Sequence, residues 1–430
     1  MKTAISLPIV ILAAVVAMPS SSPEVWAAAT PDVAAAATPA SASVRWPNGR
    51  SQDEAFFPIA VWLQDPRNAP KYKALGVNLY VGLWKGPTAE QIAELKRHGM
   101  PVVCSQNEYA LKHLDEKTIV GWMHGDEPDN AQPLPNQKGY GPPIPPQKII
   151  EDYRRIKEKD GTRPIFLNLG QGVAWDGWHG RGVRTNHPED YVEYVKGGDI
   201  VSFDIYPAVH DKPAVAGKLW YVARGVQRLR GWAGQDRIVW NCIECTRISN
   251  PKTKPTPEQV KAEVWMSIIH GSQGIIYFCH QFQPRFIEAG LLADAEMATA
   301  VAAINRQIQG LAPVLKGPSV ANAFRVTVTP AEVDSEMARL LGPNGIAACV
   351  KRHGDSTYLF AVRMEPRPAK AAFQVAGLAE DAAAQVLGED RAIPVRGGRF
   401  EDEFAPHAVH LYQIKATSNP KVSADRVDGR

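Results

Sequence analysis

Eight short apolar runs alternate with stretches whose apolar residues recur at helical spacing, over the first three quarters of the chain. The runs cover residues 57–63, 77–83, 101–105, 120–125, 164–169, 200–205, 238–243 and 274–278, and each predicts a strand. Helical patterns fall between them at 88–98, 146–159, 188–195, 219–232 and 257–270, and one more closes the series at 294–309. Runs that stay apolar throughout, rather than alternating with polar residues, suit a parallel sheet covered on both faces. Helix starts carry plausible signals in Thr256-Pro257-Glu258 and His187-Pro188-Glu189, where proline can occupy the first turn without losing a needed N–H. This alternation predicts an α/β fold, a closed (β/α)8 TIM barrel over residues 51–316. An open doubly wound sheet is the competing architecture, but no glycine-rich phosphate loop follows the first run.

The texture changes after Lys316. Short alternating segments at 324–328, 346–351, 357–363, 371–375 and 409–414 are separated by Pro343-Asn344-Gly345, His353-Gly354-Asp355 and Gly397-Gly398. They predict a small antiparallel β-sandwich domain over 317–415, with a disordered tail at 416–430. At the other end, Lys2 precedes an apolar stretch at 4–18, and Ala27-Ala28-Ala29 offers a small-residue cleavage site. This is the pattern of a signal peptide over 1–29, followed by an Ala/Pro-rich linker at 30–50. The expected location is secreted or periplasmic, with no membrane attachment after cleavage. An uncleaved anchor is the plainer alternative, but the apolar stretch is short for a span.

Composition adds little until tryptophan and cysteine are counted. In 430 residues, 45% are hydrophobic and 22% charged, with a formal net charge of +3, which allows a large core and favours no charged partner. No basic run with interleaved aromatics supports nucleic-acid binding. Eleven tryptophans are many, and indole faces are ready platforms for sugar rings. The five cysteines, at 104, 242, 245, 279 and 349, are too few for a disulfide scaffold. Cys242 and Cys245 form a C-x-x-C, but within a strand positions i and i+3 face opposite ways, so structural thiols are expected there.

A barrel displays its chemistry at the C-terminal ends of its strands. Glu127 closes the fourth run, in Trp122-Met123-His124-Gly125-Asp126-Glu127-Pro128-Asp129, and Glu244 the seventh, in Trp240-Asn241-Cys242-Ile243-Glu244-Cys245. The bland reading of Glu127 is a surface acid opening a loop. The crowding of Asp126 and Asp129 argues against it, because like charges raise a carboxyl pKa toward that of a general acid. The bland reading of Glu244 is a salt bridge with Arg247 or Lys85. Its parity with Trp240 and Cys242 instead points it at the barrel axis, where an unpaired carboxylate is costly unless it has work to do.

Together these residues resemble a glycoside hydrolase of clan A, the retaining (β/α)8-barrel group, over residues 57–309 and on into a C-terminal β domain. The clan places an acid/base Glu, usually in Asn-Glu-Pro, after the fourth strand and a nucleophilic Glu after the seventh. Gly125-Asp126-Glu127-Pro128 and Ile243-Glu244-Cys245 match those places, with Asp126 standing where the clan usually has Asn. The resemblance implies that Glu127 protonates the leaving oxygen and Glu244 attacks the anomeric carbon of a carbohydrate substrate. It needs no metal and no organic cofactor. It also implies that Tyr206 holds the nucleophile. Asp204 is a candidate for a sugar hydroxyl, as are the strand-end residues Trp62, Trp84, Asn168, Trp240 and His280 and the loop tryptophans Trp175 and Trp178. Gln64, Asp65, Lys85, Gln106, Asn107, Glu108 and Gln281 complete the polar face. Long loops at 129–145 and 170–187 are expected to shape a cleft, with Arg181 and Arg184 allowing an acidic sugar.

Three other readings compete. The adjacent pair Asp126-Glu127 could act alone, as in barrel hexosaminidases where the substrate's acetamido group attacks, an Asp orients it and a Glu is the acid. The barrel could bind carbohydrate without cleaving it. A metal cluster of His124, Asp126 and His280 lacks the H-x-H expected on the first strand, which reads Ile59-Ala60-Val61-Trp62-Leu63.

Overall fold

The computed structural model describes residues 53, 55–135 and 138–415; the signal segment, linker and tail expected at 1–29, 30–50 and 416–430 lie outside the described residues. Each of the eight apolar runs holds a barrel strand: β1 (Ile59–Trp62), β2 (Leu79–Val81), β3 (Val102–Cys104), β4 (Ile119–Met123), β5 (Ile165–Leu169) and β6 (Ile200–Phe203) come first. The seventh strand is split into β7 (Ile238–Val239) and β8 (Asn241–Glu244), and β9 (Ile275–Phe278) is the eighth. All pairings are parallel. β1 bonds both β2 and β9, while β7 bonds β6 and β8 bonds β9, so the ring closes through the broken seventh strand. At the break, the Trp240 N–H still reaches Val201 O at 2.9 Å.

Side chains of alternate positions fill the lumen, as the period of two requires. Ala60, Val81, Val103, Phe166, Cys242 and Ile276 belong to this inner cluster. So do Trp62 and Trp240, whose rings lie 6.2 and 5.7 Å from that of Phe166. At 3% and 0% exposure, both tryptophans are barrel core. That corrects the expectation that they stack against sugar: at these heights the axis is packed with side chains.

The helices form the outer layer. They are α1 (Ala69–Ala74), α2 (Ala89–Arg97), α3 (Glu108–Lys112), α4 (Pro146–Lys159), α5 (Tyr191–Tyr194), α6 (Trp220–Ala233), α7 (Pro257–Ile269), α8 (Ala295–Gly310) and α9 (Ala312–Lys316). Capping boxes start α2, from Thr88 with Gln91, and α7, from Thr256 with Gln259. The helix expected over 188–195 is instead single turns, Pro188–Asp190, α5 and Val195–Gly197. Its first turn spends Asp190 on Arg181 and Arg184, and its last meets Gly197, where a Cβ would lie 2.5 Å from Ile149. No helix among the described residues is long and apolar enough to cross a membrane.

The C-terminal domain is an eight-stranded antiparallel sheet. Its strands are β10 (Phe324–Thr329), β11 (Ile346–His353), β12 (Ser356–Arg363), β13 (Ala369–Val375), β14 (Asp381–Val386), β15 (Ala392–Arg396), β16 (Arg399–Phe404) and β17 (Val409–Lys415), with α10 (Ser335–Leu341) between the first two. The order is β10-β13-β16-β15-β14-β17-β12-β11, and the first and last strands of this order touch, so the sheet curls around one core of Phe373, Phe400, Tyr412 and neighbours. Its other face joins the barrel: Trp265 of α7 packs on Phe360 of β12 at 5.3 Å.

Candidate active site at the barrel mouth

Asp126 and Glu127 follow β4 at the C-terminal end of the barrel. Glu127 adopts a left-handed backbone, φ 43°, immediately before Pro128. A non-glycine residue there costs on the order of 1–3 kcal/mol and persists only where its surroundings hold it. Here the Asn130 N–H and the Gln132 amide both donate to Glu127 O, at 3.1 and 3.2 Å. The side chain is fixed as well: Asn130 Nδ2 donates to Glu127 Oε2 at 2.7 Å, and Trp178 Nε1 donates to Asn130 Oδ1 at 2.8 Å. Trp178, expected as a sugar platform, is therefore also part of the scaffold that aims Glu127.

The long loop after β5 clamps this turn. The buried Asp129 carboxylate accepts the Gly170 N–H at 2.9 Å and the Tyr191 hydroxyl at 2.7 Å, and Arg181 Nε donates to Asp129 O at 3.2 Å. Arg181 and Arg184 both engage Asp190, while Arg224 and Arg228 engage Asp176. The arginines that could have greeted an acidic sugar are thus neutralised within the protein.

Asp126 accepts from Asn168 Nδ2 at 2.9 Å, and Ser202 Oγ donates to Asn168 Oδ1 at 2.6 Å, which fixes the amide's orientation. Asn168 is a second support rather than a free ligand. Asp204, after β6, lies beside Glu127. Its Oδ1 and the Tyr206 hydroxyl are buried. The Asp204 carboxyl has Glu127 and Tyr206 as its polar neighbours, so the three form one polar cluster.

Three carboxyls crowd here, and each is raised. Burial and then the Asp204 charge push Asp126 up to about 7, against the pull of the Asn168 hydrogen bond. The same two causes, with the Asp126 charge added, hold Glu127 well above the ordinary glutamate range. Burial lifts Asp204 to about 6, with its Glu127 and Tyr206 neighbours pulling it back. Asp126 is exposed and Glu127 partly buried, yet both sit among enough protein to weaken the solvation of their charged forms. Burial and mutual repulsion therefore favour the protonated form throughout the cluster, Glu127 included.

Glu244 has its own set of partners. Its side chain is completely buried, and its oxygens accept the Ala208 and Val209 N–H groups at 2.6 and 2.9 Å. It lies beside Glu263, a buried residue of α7 in the outer layer, whose carboxyl faces it without a cation. Neither Arg247 nor Lys85 pairs with it. The structure gathers Asp126, Glu127, Asp204 and Tyr206, and Glu244 anchors the loop that carries Tyr206.

The remaining candidates disperse around the rim. Trp175 and Trp178 are neighbours at 6.1 Å, with His210 edge-on to Trp175 at 5.8 Å. Trp84 is 71% exposed on the loop after β2. His124 is turned to the Gly197 carbonyl at 2.7 Å and His280 to Gln64 at 3.3 Å, so the two imidazoles have separate partners. All five cysteines are buried free thiols. Cys242 is in the inner cluster and Cys245 in the outer, as strand parity demands.

Sequence reasoning did not single out Asn130, Ser202 or Tyr191. Asn130 follows Glu127 by three residues at a turn, which is the available signal; the other two act across the fold.

No family model matches the chain, and no curated protein matches it. Solved structures do resemble it in fold. An alpha-amylase from Geobacillus thermoleovorans is 10% identical with TM-score 0.42, over 87% of this chain and 99% of that one. A glycoside hydrolase family 30 xylanase from Clostridium acetobutylicum is 10% identical with TM-score 0.43, over 84% and 96%. A maltogenic alpha-amylase from Thermotoga neapolitana is 9% identical with TM-score 0.46, over 84% and 99%.

Proposed function

We propose that this protein is an exported glycoside hydrolase that cleaves 2-acetamido sugars with the help of the substrate's own acetamido group. The observation that carries the reading is the burial of Glu244. Glu127 stands at the mouth with Asp126, whereas Glu244 is sealed against backbone amides and Glu263. An attacking carboxylate must reach the anomeric carbon, whereas the Glu244 side chain is fully buried with both oxygens engaged by backbone amides.

In the proposed reaction Glu127 gives its proton to the glycosidic oxygen as the C1–O bond breaks. The acetamido carbonyl oxygen bonds to C1, and Asp126 holds the acetamido N–H and balances the oxazolinium charge. The Tyr206 hydroxyl, buried beside Asp204, is a donor for that carbonyl oxygen. Water then adds to C1 and gives a proton to the Glu127 carboxylate, and the oxazolinium ring opens with configuration retained. The carbohydrate partner and the secreted or periplasmic location belong to the same proposal.

The test is a screen of aryl glycosides, both anomers, with 2-acetamido and 2-hydroxy sugars in parallel. Turnover should be confined to the 2-acetamido series. It should fall about 100- to 10,000-fold in Asp126→Asn and Glu127→Gln. Glu244→Gln, with its thermal transition recorded alongside, should keep most of the activity. Cleavage of 2-hydroxy sugars that disappears in a folded Glu244→Gln would return the two-glutamate mechanism.

A further inference from the structure

An aromatic wall leads away from the carboxyl cluster. The Tyr206 ring contacts Phe278, the last residue of β9, at 5.2 Å. Phe278 meets Phe282 at 6.1 Å and His280 at 5.2 Å, and His280 stacks on Phe286 at 5.9 Å with the planes 18° apart. Phe282 and Phe286 close the series at 5.6 Å. Burial is steep along it: Tyr206 and His280 are buried, whereas Phe282 is 45% and Phe286 60% exposed.

The exposed end is held firmly. Gln281 and Ile287 form an antiparallel bridge with both bonds at 2.9 Å, so the segment between them is a closed loop. The Phe282 and Gln283 N–H groups both donate to Arg247 O, at 2.9 and 3.3 Å, tying that loop to the one after β8. Isolated exposed aromatics need no explanation, and a hydrophobic lid over the barrel end is the bland reading here. A lid, however, buries its rings. Two adjacent part-exposed rings, backed by the buried His280 ring and continuous with the reactive carboxyls, form an apolar patch of the kind that is often functional.

We propose that Phe282 and Phe286 are the platform for the sugar ring next to the one being cleaved, so that the substrate is an oligosaccharide or longer glycan. This rests on the glycosidase reading above. Pyranose rings carry an apolar C–H face that stacks on an aromatic ring while the equatorial hydroxyls stay in water. A fixed, half-exposed ring pair offers that surface at little ordering cost.

The experiment measures binding to the full chain carrying Glu127→Gln, so that turnover does not interfere. The probes are N-acetylglucosamine and its β-1,4-linked hexamer, with N-acetylgalactosamine and its oligomers in parallel, read by calorimetry. The hexamer or its counterpart should bind more tightly than the monosaccharide. Adding Phe282→Ala and Phe286→Ala should remove about tenfold of that gain and leave the monosaccharide affinity unchanged. Phe282→Trp with Phe286→Trp should restore the gain. A bound monosaccharide with no gain from chain length, or a gain that survives the double alanine variant, overturns the platform. Failure of every monosaccharide and oligomer to bind overturns the glycosidase reading, and the platform with it. A fall in affinity for monosaccharide and oligomer alike assigns the rings to the cleavage position instead, and also overturns the platform.

Discussion

Glu127 differs from an ordinary surface glutamate because of what crowds it, and the crowding has a consequence for pH. The proposed reaction needs Glu127 protonated and Asp126 ionised at once. Asp126 is raised to about 7 and Glu127 well above the ordinary glutamate range, so kcat/KM should rise as the first proton of the pair leaves and fall as the second does. The limbs belong to the coupled cluster rather than to single residues. After burial, the Asp204 charge is the largest cause of both elevated values. Asp204→Asn should therefore move both limbs to lower pH, and limbs that stay put would remove Asp204 from this role. Much of the cluster was legible in the sequence: Asp-Glu-Pro after the fourth run and Asp204 with Tyr206 after the sixth are strand-end carboxyls and a phenol. The direction of Glu244 was not. Its parity with Cys242 aims it at the axis, but the strand breaks at Trp240. Beyond that break β8 bonds only β9, and the Glu244 carboxyl turns to the amides at 208–209 instead.

The pairing of β8 with α7 gives that buried carboxyl a second role, in stability. Glu244 and Glu263 face each other without a cation, so one must carry a proton. Burial lifts Glu244 from the usual 4.5 to about 7, and burial with the Glu244 charge holds Glu263 well above its usual value. A raised carboxyl pKa means that the folded state binds protons the unfolded chain has released. The contribution is thus fully present below about 4.5 and is lost as pH rises through about 7. For Glu244 the span corresponds to about 3 kcal/mol. Glu263→Gln keeps a hydrogen-bond donor toward Glu244 at every pH, so Tm of this variant should exceed wild type increasingly between pH 6 and 9. Parallel Tm curves over that interval would count against a shared proton. At this scale the sequence was highly readable in the barrel, where continuous apolar runs leave strands no other place to lie. It was poor for β14 to β16, whose Asp-Ala-Ala-Ala, Pro394 and Arg-Phe-Glu-Asp-Glu stretches lack strand-forming composition and acquire it from neighbours. It was equally silent on α10, a helix capped by Asp334 inside a region of short strands.

Barrel and β domain share a core, which periodicity along the chain could not reveal because the contact is made by residues of unrelated segments. Trp265, Met266 and Ile268 of α7 belong to the same buried cluster as Phe360, Val362 and Leu411 of the sheet. A second tie joins α6 to α10, where Lys218 and Tyr221 both reach Glu336, at 2.7 and 3.1 Å. The shared core includes α7, and α7 also carries Glu263 against the Glu244 anchor of the Tyr206 loop. The β domain therefore braces the helix behind the site. Removing the Phe360 ring leaves a cavity against Trp265, and such truncations cost about 3–5 kcal/mol. If the two parts fold as one cooperative unit, Phe360→Ala should lower a single calorimetric transition and keep its calorimetric and van't Hoff enthalpies equal. Two resolved transitions, only the sheet's being shifted, would show that the domains fold separately. In that case the site should keep full activity at temperatures where the sheet has already melted; in the cooperative case activity and both domains are lost together, because the helix that closes the barrel core also closes the sheet's.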